Sequence, residues 1–297
     1  MKSRYFLQLA ALSSLWGAGF LLTRIATPVL GPSVAAASRI ALGAATLAVI
    51  MRLSGVRWPR EHWRELFALG AVGIALPHLL SAWASLYLPA GYSAVVGVTS
   101  VLFGTLASAW LKEDVLTWAK ICGCLAAFAG VVLLVRLGPI ALTPPVLVAT
   151  ASAVAGCFFS GLSAPLLKRA TQRMPPLAIT AGIHLAGLVF LLPGALWNLP
   201  EARFTLGAVA AVAVMGLVTS GLAYWQYMRI VNRVSAVAAH SSTLMVTLWG
   251  VVWGHLVLGE VFTPASYAGA LLVVLATLLV TGFNPLKRWL FPDPAQP

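Results

Sequence analysis

The chain has 297 residues, of which 60% are apolar and 9% charged, against about 45–50% and about 25% in an ordinary soluble domain. So few charges cannot cover a water-soluble globule of this size, which excludes a soluble enzyme, a disordered chain and a disulfide scaffold. The mean hydropathy of +0.94 points instead to a polytopic membrane protein. The formal charge of +12 does not read as a nucleic-acid face, because the 19 basic residues are scattered between apolar runs.

A helix needs about 20 apolar residues to cross hydrocarbon. Runs of that length between Pro, Gly and charge breaks predict ten spans, at 5–27, 33–53, 65–88, 90–111, 115–136, 146–168, 177–199, 206–230, 234–258 and 264–284. Lys2 and Arg4 precede the first, as in a signal peptide. Its apolar stretch, however, runs on to Ala26 with only Arg24 interrupting, and no small-x-small cleavage site follows, so it reads as a helix. Trp16 lies deep in it beside Gly17 and Gly19. Span two carries Arg39, read as snorkelling or lining a vestibule. In span three Pro77 frees a backbone carbonyl and His78 follows it directly; an ionisable group at that depth marks a pathway.

Span four offers Thr99 and Ser100. Span five carries a ladder of small residues, Ala119, Gly123 and Ala127, and Ala265 and Gly269 begin another in span ten; such ladders let helices approach closely. Span six contributes Phe158 and Ser160, span eight Ser220 and Tyr224, and span nine Ser241, Thr243 and Thr247. Hydroxyl residues in such helices often bond back to their own backbone, which is the plainer reading of each. His184, His240 and His255 read as packing residues. Trp58, Trp63, Trp118, Trp197 and Trp289 sit near span ends as an interfacial belt. Cys122, Cys124 and Cys157 lie in apolar stretches and read as small helix residues, with no metal site or disulfide implied.

With the N-terminus cytoplasmic, the inner segments hold 14 basic residues, among them Arg52, Arg57, Arg60, Lys168 and Arg169, against Arg24, Arg136 and Arg203 outside. That bias places both termini inside and accounts for most of the positive charge. Self-comparison then sets Ser100–Glu113 against Thr247–Glu260, each ending in Glu thirteen residues after a hydroxyl residue. Thr117 and Gly123 match Thr263 and Gly269 after a one-residue slip. The expectation is an all-α membrane protein of ten transmembrane helices, built as two five-helix repeats, residues 1–140 and 141–297. An odd number of spans per repeat inverts the second copy, the plan by which a carrier reaches an inward-facing and an outward-facing state.

Leu15-Trp16-Gly17-Ala18-Gly19-Phe20, the Leu88-Pro89-Ala90-Gly91 run, and Glu113 and Glu260, each followed by Thr and then Gly, resemble the drug/metabolite transporter superfamily, in particular its EamA-type exporters. The resemblance covers the whole chain. Two departures stand out. Ser100 and Thr247 replace a proline the family often carries, and Lys112-Glu113-Asp114 stands where Gly-Glu is usual. Among members the chain looks most like the aromatic amino acid exporters of bacteria. The resemblance implies that spans 1, 3, 4, 6, 8 and 9 surround a central cavity while 5 and 10 brace it from outside.

Trp16, His78, Thr99, Ser100, Phe158, Ser160, Ser220, Tyr224, Ser241, Thr243 and Thr247 are therefore the candidate substrate-binding residues, an aromatic and hydroxyl set suited to a small amphipathic solute. The expected protein is a carrier and not an enzyme, with no catalytic residues, metal or cofactor. It would sit in the bacterial cytoplasmic membrane as a monomer or weak dimer, its partners the lipid bilayer and a small solute such as an amino acid, with no nucleic acid. A carrier of amphipathic cations or drugs would want an acidic residue at depth, and all seven acids fall at span ends or in loops. A membrane-embedded enzyme would need a carboxylate pair or a His–carboxylate set, and a channel a charged ring. Coupling is left to a proton on a histidine such as His78, or to facilitated flow.

Overall fold

The computed structural model describes residues 3–112, 115–137, 141, 143–231 and 236–281, and within them every element is helical. In chain order these are α1 (Ser3–Leu30), α2 (Pro32–Leu53), α3 (Trp63–Gly70), a π-helical segment (Ala71–Ala75), α4 (Leu76–Ala84), α5 (Ala90–Gly97) and α6 (Thr99–Trp110). There follow α7 (Trp118–Leu137), α8 (Pro144–Ala170), α9 (Pro176–Asn198), α10 (Leu206–Ala213), a second π-helical segment (Val214–Ala223), α11 (Tyr224–Val231), α12 (Ala236–Leu258) and α13 (Pro264–Thr281). Seven helical runs among the described residues are long and apolar enough to cross a membrane. Shorter apolar helices at Trp118–Ala127, Met245–Leu258 and Pro264–Ala276 fall where the other three spans were expected.

The outer surface explains the composition. Leu106, Leu185, Phe190, Leu196, Leu256 and Leu275 are all exposed, an apolar coat that water would not tolerate and hydrocarbon does. Trp58, Trp63, Trp118 and Trp197 are exposed at or just beyond helix ends, where indoles favour the interface; Trp289 lies outside the described residues.

Inside, helices meet through small residues. Between hydrocarbon-solvated helices there is little hydrophobic drive, and close backbone approach supplies the packing. At the crossing of α1 with α12, a Cβ on Gly17 would lie 2.7 Å from Trp249 Cβ and 2.9 Å from both the Gly250 nitrogen and the Val246 oxygen. At the crossing of α8 with α6, a Cβ on Gly161 would lie 2.6 Å from Phe103 Cβ, the Gly104 nitrogen and the Ser100 oxygen. The two contacts match atom for atom, and they set Ser100 opposite Val246 and Gly104 opposite Gly250. This is one residue away from the pairing of Ser100 with Thr247 read from sequence.

Further packing follows a similar plan: α9 lies against α3, and the second π segment lies against α2. Both π segments adjoin or contain glycines in close contact, Gly70 with Ala186 and Gly216 with Leu42. In the first, Pro77 has no N–H to return to Gly73, so the regular ladder is already broken. The bracing pair expected from spans 5 and 10 is present as α7 against α13. Ala127 is fully buried there, and a Cβ on Gly130 would come within 2.8 Å of the Gly269 oxygen.

Candidate functional site

A cavity of about 430 Å³ opens between the helices, a size that suits a small molecule. Of the residues expected to bind a solute, Trp16, His78, Ser100, Ser160, Ser220, Tyr224 and Thr247 line it. Trp16 on α1 anchors an aromatic wall. Its Nε1 donates to the Thr219 carbonyl at 3.1 Å, and its ring meets Tyr227 edge-on at 4.9 Å and Tyr224 at 6.4 Å. Tyr224 in turn meets His184 edge-on at 5.3 Å. Phe20 and Thr23 extend the α1 side of the lining.

The other expected residues lie elsewhere or outside description. Thr99 is completely buried and its Oγ1 donates to the Val96 carbonyl at 2.7 Å, so it packs behind the cavity wall. Phe158 is 45% exposed on the outer face of α8, edge-on to Phe103 and Phe159; the helix turns it toward the apolar surroundings. The side chains of Ser241 and Thr243 lie outside the described residues. Ser100 lines the cavity with its hydroxyl already donated to the Gly97 carbonyl at 2.8 Å.

Two helices outside the implied cavity set also contribute: α2 through Ala35, Ala36 and Arg39, and α9 through His184. Arg39 is held at the cavity wall by the second π segment, against which α2 packs. Its Nε donates to Ser220 Oγ at 2.9 Å, Nη2 reaches Thr219 Oγ1 at 3.4 Å, and Nη1 faces Met215 Sδ at 3.9 Å. It therefore does not snorkel. Of the two readings the sequence left for Arg39, snorkelling or lining a vestibule, the structure shows the second, and the signal was the cost of an ionisable residue inside a span.

The two histidines share one geometry. His78 Nδ1 lies 2.7 Å from the Ile74 carbonyl and His184 Nδ1 lies 2.8 Å from the Thr180 carbonyl, each one helical turn back. A carbonyl oxygen only accepts, so each Nδ1 carries the proton and each neutral ring keeps Nε2 as an acceptor. The cavity thus combines one guanidinium, two imidazole acceptors and an indole–phenol wall. No group of three potential metal ligands occurs among the described residues.

One end of the assembly is tied by backbone-directed contacts. Glu260, beyond α12, accepts from the Ala90 and Gly91 amides at 2.5 Å and 2.9 Å, capping the start of α5 with a carboxylate. Arg24 of α1 donates to the Ser85 carbonyl, just after α4.

Comparison with known proteins gives a consistent set. The model of the EamA-like transporter family matches residues 4–136 and again residues 147–282. A protein of Streptantibioticus cattleyicolor named a probable terminal-alkyne amino-acid exporter is 28% identical over 89% of this chain and 89% of its own. The uncharacterized transporter YvbV of Bacillus subtilis is 27% identical over 94% of this chain and 92% of its own. A crystal structure of a protein 21% identical superposes with a TM-score of 0.68, covering 95% of this chain and 99% of that one, and shares the fold.

Proposed function

The chain belongs to the EamA-like transporter family, and from that premise we propose that it is a carrier of the bacterial cytoplasmic membrane that exports aromatic or neutral amino acids and similar small metabolites. It crosses the membrane ten times, as two five-helix halves of opposite orientation, residues 1–140 and 141–297, with both termini in the cytoplasm. The halves alternate access to one central site. The observation that carries this reading is the cavity itself, aromatic-walled and assembled from both halves. The matched glycine crossings, the two family matches and the bias of basic residues support the opposed halves. The exporter named among the relatives supports the solute class.

Described acids stay out of the cavity lining, which favours facilitated flow over obligatory proton coupling. Counterflow of a panel of amino acids into proteoliposomes holding the purified chain tests the whole reading. At least one aromatic or neutral amino acid should exchange, without need of a pH gradient, and Trp16→Ala should cut that exchange at least tenfold while the protein stays folded. Exchange of none of them, or an undiminished Trp16→Ala variant, refutes the reading.

A further inference from the structure

The geometry points to Arg39 as the anchor for a carboxylate in the central cavity, which narrows the solute to zwitterions and carboxylate anions; this rests on the carrier reading above. Arg39 lies two turns into α2 and lines the cavity. Its charge is permanent, and its guanidinium has five N–H donors. Three are directed at Ser220 Oγ, Thr219 Oγ1 and Met215 Sδ. All three acceptors are neutral, so they orient the group and leave its charge uncompensated.

Among the described residues no carboxylate supplies the missing charge. Glu65 pairs with Arg173 at 2.9 Å, Glu260 caps α5, Glu201 lines a separate recess between the α1–α2 turn and the end of α9, and Glu61 sits in the turn before α3. A cation withdrawn from water without an anion is costly, and a bound carboxylate removes that cost with charge-assisted hydrogen bonds. Held from α2 onto the π segment, the guanidinium is fixed at the cavity wall, where a carboxylate can reach it.

The rest of the lining fits the other end of a zwitterion. Nε2 of His78 and of His184 can accept from an ammonium group, and the Trp16, Tyr224 and Tyr227 rings offer faces to a cation or an apolar side chain. A solute with an amine and no carboxylate would meet the guanidinium with like charge.

Matched ligands on the purified full chain decide the matter: L-phenylalanine, L-phenylalaninamide and 3-phenylpropanoate, with L-leucine and L-leucinamide as an aliphatic pair. Binding is read by thermal shift and transport by counterflow. On the native chain each amide should bind about ten- to hundredfold more weakly than its amino acid, the equivalent of one charge-assisted contact. Arg39→Gln, which keeps donors for Ser220 and Thr219, should erase that difference by weakening the acids alone. Arg39→Lys should restore part of it. If acid and amide are handled equally by the native chain, or if Arg39→Gln weakens both and leaves their ratio unchanged, the carboxylate role is refuted while the carrier stands. If none of the five compounds moves through folded native protein, the amino-acid reading fails with it.

Discussion

The crossing of α1 with α12 and the crossing of α6 with α8 use one contact plan, yet their second glycines, Gly250 and Gly104, face different neighbours. In both, a glycine of the earlier or later long helix seats against the backbone of its partner, Gly17 on Gly250 and Gly161 on Gly104. At Gly104 the added Cβ would meet only the crossing partner itself, in ordinary contact 3.5 Å from the Gly161 oxygen. Behind Gly250 stands α5: an added Cβ would overlap Ala94 Cβ, and Thr247 Oγ1 one turn earlier donates to the Ala94 carbonyl at 3.3 Å. Thus the Cβ position of Gly250 is closed by α5, whereas that of Gly104 leaves room against α8. Equivalent backbone geometry does not confer equivalent tolerance; the neighbour that each glycine's own Cβ would meet decides it.

Substituting the two paired glycines should break this equivalence most visibly. Gly250→Ala is expected to destabilise by about 1–3 kcal/mol through overpacking, lowering the thermal unfolding midpoint in detergent and the yield of monodisperse protein. Gly104→Ala should be neutral or slightly stabilising, because the methyl fits and alanine favours a helix by up to about 1 kcal/mol. Ala94→Gly should restore much of the loss in the double variant, the coupling expected of residues in contact. Equal effects of the two glycine substitutions would remove the asymmetry argued above.

The same α12–α5 neighbourhood is fastened at its end by Glu260. A carboxylate accepting two amides at a helix start is stronger than a neutral amide oxygen in that place. Glu260→Gln should therefore cost about 1–2 kcal/mol, with Glu260→Ala costing more because both α5 amides lose their acceptor. Thermal unfolding of the three proteins checks the order; a glutamine variant as labile as the alanine one would show that shape alone, without charge, holds α5.

Much of this was legible in advance. Apolar length and small-residue ladders located the helices, since a lipid-facing helix must be apolar outside and small where it packs. The aromatic and histidine lining followed from the cost of polar groups at depth, which singled out Trp16, His78 and Tyr224. Three things escaped. A 3.6-residue period cannot reveal a π segment, and it was the second π segment that carried Thr219 and Ser220 to Arg39. The face of a helix that is apolar all round has no marker either: Phe158, expected in the cavity, faces out, and His184, read as a packing residue, is buried but also lines the cavity. The sequence match of Ser100 with Thr247 sits one residue off the matched glycine contacts because it was anchored further along the chain: one more residue separates Gly250 from Gly259 than separates Gly104 from Lys112.

That slip leads to the smallest expected effect. Both helix ends turn through the left-handed region, Gly259 at φ 65° and Lys112 at φ 59°. Glycine takes that conformation freely, whereas a residue with a Cβ meets the following carbonyl oxygen. Lys112 is the only non-glycine residue with positive φ among those described, and it stands where the family usually has glycine. Lys112→Gly should consequently stabilise by up to about 1 kcal/mol, less the entropy that glycine adds to the unfolded chain. Gly259→Ala should destabilise by about the same amount, since no described residue lies within 4 Å of its added Cβ and the backbone angle opposes it. Unfolding midpoints that move in opposite directions for the two substitutions would establish that the two ends share one turn chemistry written with different residues. A destabilised Lys112→Gly would instead assign the lysine a contact that outweighs its strain.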